Sequence, residues 1–217
     1  MSQYAKTASL EEDSEQIVFV VDDDESMQVA MTHLFRSMNF HVKVFSTGAA
    51  FLGSEFPDIP SCLVLDIRLP DTNGLEFQGV LAKAGIHIPI VFMTGHGDIP
   101  MSVKAMKAGA IDFLPKPFRD QDMLDALTRA LDEDRRRRNE GKVLSQLRRL
   151  FESLTRRERE VLSFVISGLM NKEIAHRLQV SEITVKIHRG HMMKKMEARS
   201  VADLVRKAEM LGVKRTN

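Results

Sequence analysis

The chain has 217 residues, with 31 Lys/Arg against 30 Asp/Glu, a formal charge of +1 and one Cys. That length admits one large domain or two small ones, the 43% apolar and 28% charged content excludes a wholly disordered chain, and a single Cys excludes an internal disulfide framework. No CxxC or HExxH spacing offers a zinc site, the opening MSQYAKTASLEEDSEQ lacks the pattern of a signal peptide, and no uncharged apolar run approaches the ~20 residues of a membrane span, so a cytoplasmic chain with no membrane partner is expected.

Residues 1–16 are polar, acidic and without periodicity, and read as a flexible tail. IVFVV (17–21) is a short apolar run that stops in acids, as a buried strand does. Residues 26–38 then place Met27, Ala30, Met31, Leu34 and Phe35 on one helical stripe. HVKVF (41–45), CLVLD (62–66), IPIVFM (88–93) and IDFL (111–114) are further strand candidates, with helical stretches TGAAFLGSE, GLEFQGVLAKAG and MSVKAMKAG between them. Apolar strands alternating with amphipathic helices predict an α/β domain over 17–133, with a doubly wound, five-stranded parallel sheet. Such sheets bind ligands at the carboxyl ends of their strands.

From Asp120 to Phe151 leucines recur at helical spacing with no Pro. This predicts a last helix running into a helical linker (134–149), with Gly141 as a candidate break. Residues 150–217 read as all-α. Thr155 and Glu158 have capping-box spacing ahead of REVLSFVISGL. Asn171, Ser181 and Ser200 offer N-caps for the following helices, and Gly168 and Gly212 stand where helices should close.

The near-zero charge hides a division. Residues 1–134 hold 10 Lys/Arg and 21 Asp/Glu, a net of −11; residues 135–144 (RRRRNEGKVL) hold 5 and 1, a net of +4; residues 145–217 hold 16 and 8, a net of +8. An acidic front and a basic back suggest two modules with different partners, the second suited to a polyanion such as nucleic acid. For RRRR alone, a merely solvated face is an equal reading.

Asp22, Asp23 and Asp24 follow the first strand, Asp66 the third, Thr94 the fourth and Lys116 the fifth. In a parallel sheet these lie on one edge, where a single crevice can collect carboxylates, a hydroxyl and an ammonium. Clustered acids repel, which raises the pKa of at least one unless a cation intervenes. Mg²⁺ suits a few carboxylates together with water and a phosphate. Asp24 by itself reads as a helix N-terminal residue favoured by the dipole, and Cys62 as a small core residue.

The ordered motifs VVDDDE, LDIRLPDTNG, MTGHGDIPMSVKAMKAGAIDF and LPKPF, spanning residues 17–133, resemble the receiver domain of bacterial two-component response regulators, a flavodoxin-like fold. The resemblance implies that Asp66 takes a phosphoryl group from a histidine kinase. It makes Asp22 and Asp23 the acidic pair, with Asp23 ligating Mg²⁺ beside Asp66 and the backbone carbonyl of Arg68. Thr94 and Lys116 would contact the phosphoryl oxygens, and Phe113 would be the switch aromatic coupled to Thr94. An aspartyl nucleophile, a metal and a Lys supply the positioning and electrostatics that phosphoryl transfer needs. Phe113 reads equally well as a strand residue packed in the core. The family also has a cis peptide where this chain has Lys116–Pro117, which sequence alone cannot show.

Residues 171–190 read as helix, tight turn, helix. Ile174, Ala175 and Leu178 line the first helix, and Val185 with Met192 and Met193 anchors the second, a recognition helix over about 182–196. Its polar face offers Thr184, Lys186, His188, Arg189, His191, Lys194 and Lys195, and cations on one face fit a major groove. An ordinary amphipathic surface helix is the alternative. The run LTRREREVLSFVISGLMNKEIAHRLQVSEITVKIHRGHMMKKM resembles the four-helix LuxR-type DNA-binding domain, joined here to a receiver as in the NarL/FixJ class and nearer the FixJ branch. The resemblance points to Lys186, Ile187 and Gly190 as base-facing, with Lys172, Ser181, Thr184, His188, Arg189, His191, Lys194 and Lys195 completing the DNA surface. Gly190 departs from the longer side chains of many members and shifts specificity toward Lys186, Arg189 or His191.

Together the resemblances imply a transcriptional regulator whose phosphorylation promotes homodimerisation and binding to promoter DNA beside RNA polymerase. They imply no turnover enzyme, only a phosphoacceptor that loses its own phosphoryl group. Three alternatives stay open: an aspartyl-phosphate phosphatase, although position 68 is Arg where that class uses an acid; a sigma-factor-like polymerase subunit; and a regulator whose basic domain meets only protein.

Overall fold

The five apolar runs are the strands of one sheet. β1 (Ile17–Val21), β3 (Ser61–Asp66) and β4 (Ile90–Thr94) are buried along their whole length, whereas β2 (His41–Phe45) is a largely exposed edge and β5 (Asp112–Pro115) the other edge. Every pairing is parallel, in the order β2-β1-β3-β4-β5. In such a sheet the ligand crevice lies where the strand order reverses, between β1 and β3. This computed structural model describes residues 16–95 and 99–214, so the expected N-terminal tail lies outside the described residues except for its last position.

Alternation along the strands feeds two cores. On one face Val18, Val20, Cys62, Val64, Val91 and Met93 pack against α1 (Glu25–Ser37) and the first half of α5 (Asp120–Glu152). On the other, Phe19, Leu63, Leu65 and Phe92 meet α2 (Gly48–Leu52), α3 (Gly74–Lys83) and α4 (Ile99–Lys107). Phe51 makes edge-on ring contacts with Phe19, Phe45, Phe56 and Phe77. Cys62 is fully buried, and burial, reinforced by the Asp134 charge, pushes its thiol far up, as suits an inert core residue.

Gly141 does not break α5, which is continuous over 33 residues. A single helical Gly costs about 1 kcal/mol, which ion pairs at three- and four-residue spacing offset at about 0.2–0.5 kcal/mol each. The RRRR run supplies them: Arg135 pairs with Asp132, Arg136 with Glu133, Arg137 with Asp134 and Arg138 with Asp134, while Arg138 also reaches Asp58 outside the helix. Asp134 is fully buried and also accepts the Ser61 backbone N–H at 3.0 Å, which fastens α5 to the start of β3. The chain divides into two compact units between Arg138 and Asn139. The arginines therefore belong to the first unit and are matched by its own acids.

The second unit contains α6 (Arg156–Ile166), α7 (Asn171–Leu178), α8 (Glu182–Lys195) and α9 (Val201–Met210). Val161, Leu162, Ile174, Val185, Met192, Met196 and Leu204 form its core. The Thr155/Glu158 capping box, the Ser181 and Ser200 caps, and Gly168 and Gly212 at positive φ stand where the sequence places them. Asn171 differs: it is the first helical residue of α7, Met170 holds the cap position, and the Asn171 Oδ1 accepts a hydrogen bond from Arg189 Nη1 at 2.9 Å. A partner 18 residues away has captured the side chain that local spacing assigned to the helix end.

Candidate functional site

At the carboxyl edge of the sheet, β1 delivers Asp22 and Asp23, β3 ends in Asp66, β4 ends in Thr94, and Lys116 follows β5. Lys116 Nζ lies 2.7 Å from Asp22 Oδ2 and 2.7 Å from Asp66 Oδ2, bridging the two carboxylates. Asp22 and Thr94 are fully buried and Asp66 nearly so, while Asp23 is exposed. Burial pushes the Asp22 carboxyl above its ordinary value, against the opposing pull of Lys116 and the Asp24 N–H. Burial would lower Lys116, but its hydrogen bonds to Asp22 and Asp66 outweigh this and raise it, so the ammonium stays charged.

Backbone groups hold the carboxylates in place. Asp66 Oδ1 accepts the Arg68 N–H at 3.0 Å, and Asp22 Oδ1 accepts the Asp24 N–H at 2.9 Å. Asp24 caps α1 through the N–H groups of Ser26 and Met27. The Lys116–Pro117 peptide is cis, and the Lys116 N–H donates to the Thr94 carbonyl at 2.7 Å. Phe113 is half-buried against the core that contains Phe92, its register partner on β4. One carboxylate oxygen from each of Asp22, Asp23 and Asp66 lies within 4.8 Å of the others. That donor set of hard oxygens, with a buried acid held above its ordinary pKa, fits a hard divalent cation.

Three supporting residues escaped the sequence reading. Gln28 Nε2 donates to the Asp22 carbonyl at 2.6 Å. Asp71, in the loop after Asp66, accepts the N–H groups of Gly48 and Ala49, which hold its carboxyl below its ordinary value. Gly74 starts α3 so close to the site that a Cβ there would meet the Asp66 carbonyl at 2.7 Å and Ile67 Cα at 2.9 Å. The glycine in LDIRLPDTNG was a usable signal; the Asp71 contacts span 22 and 23 residues and leave no local trace, and Gln28 reaches a backbone carbonyl six residues away that no side-chain pattern marks.

In the second unit, α8 buries Val185 and Met192 and leaves Lys186, Ile187, Gly190, His191 and Lys194 exposed. His188 and Arg189 are half-buried, and Arg189 is held by Asn171. Ser181 caps the helix and its hydroxyl lies 2.8 Å from that of Thr184; Lys172 is exposed on α7. Lys186 is 3.5 Å from Glu182. Lys195 faces inward: its ammonium lies 2.7 Å from the buried Glu158 carboxylate and 3.3 Å from the Ser153 carbonyl. Burial would raise Glu158, but Lys195 and the Thr155 N–H carry it below its ordinary value.

Comparison with known proteins agrees with both halves. The family model described as response regulator receiver domain matches residues 18–128, and that described as bacterial regulatory proteins, luxR family, matches residues 152–208. Nodulation protein W of Bradyrhizobium diazoefficiens is 56% identical over 197 residues, 91% of this chain and 87% of that protein. Response regulator protein TmoT of Ectopseudomonas mendocina is 47% identical over 199 residues, 92% of this chain and 90% of that one. The solved structure of response regulator StyR aligns with a TM-score of 0.82 at 49% identity, covering 90% of this chain and 98% of the other.

Proposed function

The chain belongs to the response regulators that join a receiver domain to a LuxR-family DNA-binding domain, and from that premise we propose that phosphoryl transfer from a histidine kinase to Asp66 governs promoter binding through α8. The observation that carries this is Lys116 Nζ bridging Asp22 and Asp66 at 2.7 Å each. An Asp66 carboxylate oxygen attacks phosphorus, the bond from phosphorus to the kinase histidine nitrogen breaks, and the nitrogen leaves with its electron pair. Lys116 would neutralise charge on the transferred oxygens, and the Arg68 N–H, 3.0 Å from Asp66 Oδ1, would orient the nucleophile. Asp22, Asp23 and Asp66, with the Arg68 carbonyl, would hold Mg²⁺, whose charge stabilises the phosphoryl oxygens during transfer. Water later attacks phosphorus, the bond from phosphorus to the Asp66 oxygen breaks, and inorganic phosphate leaves; the free carboxylate is restored, which limits the signal without making the chain a turnover enzyme.

The new charge lies beside Thr94. Drawing the Thr94 hydroxyl toward it favours an inward Phe113 and changes the β5 edge, biasing the receiver, residues 17–133, toward a second copy. Two domains of residues 150–217 then engage paired half-sites through raised effective concentration, in the cytoplasm and beside RNA polymerase. Lys186 and Ile187 face bases; Lys172, Ser181, Thr184, His188, Arg189, His191 and Lys194 line the phosphates and groove edges. Gly190 makes no side-chain contact, and the Lys195 ammonium would have to share its bond to Glu158.

A gel-shift titration with and without a small acyl-phosphate donor and Mg²⁺ tests the reading. The donor should tighten DNA binding by the native chain and leave Asp66→Asn unchanged. Stimulation that survives in Asp66→Asn overturns the reading.

A further inference from the structure

Among the described residues, Ile183 and Ile187 are the large apolar side chains that α8 leaves in solvent, 70% and 52% exposed. They stand one turn apart on one face, while Val185 and Met192, on the other side of the helix, are fully buried in the core of the unit. Neither isoleucine is needed for packing, and together they form an apolar stripe in the first half of the helix. The same stripe continues through Gly190 and Lys194. A Cβ built on Gly190 meets nothing within 4 Å, and Lys194 is exposed.

The surroundings of the stripe say what covers it. Lys186 lies beside it, the first turn carries the Ser181 and Thr184 hydroxyls, and residues 139–217 hold 17 Lys/Arg against 9 Asp/Glu. Glu182 pairs with Lys186 at 3.5 Å, and Lys194 is exposed one turn beyond Gly190; an apolar strip with these lysines beside it, on a unit of net positive charge, is complementary to a polyanion with apolar groups on its reading edge. The major groove has one such group, the thymine 5-methyl.

We propose that Ile183 and Ile187 read the methyl groups of two thymines in the promoter half-site; this rests on α8 being the major-groove helix. Four residues of helix rise about 6 Å, and base pairs step about 3.4 Å, so the two thymines lie within about two base pairs of each other. Gly190, with open space around it, lets the duplex approach near enough for both side chains to reach the groove floor. Ile183 thereby becomes a specificity-determining residue whose contact is apolar, where Lys186 supplies hydrogen bonds.

Replacing thymine with uracil removes only the methyl group and tests this directly. Sites are first selected from a random duplex pool with the full chain, and each dT is then exchanged singly for dU. For the native chain, two nearby exchanges should each weaken binding about fourfold, the value of burying one methyl-sized group. Ile183→Ala should be indifferent to one of these exchanges and Ile187→Ala to the other. Specific binding that no dU exchange weakens overturns the inference and leaves the major-groove reading intact, as does dU sensitivity that persists in both Ala variants. A chain that binds no DNA, with or without phosphodonor, overturns both.

Discussion

At Asp66 the residue-scale problem is to hold two carboxylates and an ammonium within hydrogen-bond reach without collapse. Backbone N–H groups do much of this, which is why the acids stand at strand ends where such groups are free. Gly74 is part of the same solution, since the start of α3 presses on the Asp66 carbonyl. Gly74→Ala should destabilise the chain by about 1–3 kcal/mol, the usual range for overpacking, and slow phosphoryl uptake from a small donor. Gly79→Ala, in the same helix but with nothing within 4 Å of its Cβ, should stabilise by up to about 1 kcal/mol. Urea melts and phosphoryl incorporation on both variants check the pair; equal behaviour would show that the close approach is relaxed elsewhere. The carboxylates, Thr94 and Lys116 were legible because strand-end positions follow from periodicity. Asp71 was not, because its partners are the N–H groups of Gly48 and Ala49, more than twenty residues earlier.

At the scale of elements, α8 is fastened at its far end by Lys195. Its ammonium completes the coordination of Glu158, which also closes the capping box of α6, so one ion pair joins the start of one helix to the end of another. The folded Glu158 carboxyl sits below its ordinary value of 4.5. Its contribution is therefore full above that value and is lost as pH falls through the folded pKa. Thermal melts should show stability declining below about pH 4.5, with that part of the acid limb missing in Glu158→Gln. Lys195→Met leaves a buried carboxylate without its charge partner and should cost about 1–3 kcal/mol at neutral pH. Unchanged melts in both variants would mean that solvent replaces the pair without loss. A Lys on a basic helix invites a DNA role from sequence; only packing reveals which cation is occupied.

For the whole molecule, the division between Arg138 and Asn139 redistributes the charge. Residues 1–138 hold 14 Lys/Arg and 21 Asp/Glu, a net of −7, and residues 139–217 hold 17 and 9, a net of +8. The RRRR run that reads as a basic joint is spent on acids of the first unit. An acidic unit tethered to a basic one lowers the attraction for any polyanion, and salt screens that effect over a Debye length of about 10 Å at 0.1 M. A fragment of residues 139–217, which has its own core, should bind generic duplex more tightly than the whole chain at low salt. The gap should close as salt rises, as a fluorescence titration at several ionic strengths would show. A gap that persists at high salt would point to a steric block instead.

Periodicity, strand-end acids and helix caps are local properties, so the sequence by itself determined the parallel sheet, the acidic crevice, the capped helices and the opposed charges of the two halves. What lay beyond it were choices among partners distant in the chain. Asn171 bonds to Arg189 instead of capping α7, Lys195 to Glu158, and Asp134 to the Ser61 backbone, while Gly141 is carried inside one long helix. The three polar contacts are decided by which charged or polar group the folded chain brings within about 3 Å. A buried carboxylate or amide takes the partner that tertiary packing supplies, because leaving it unpaired costs more than any local preference returns.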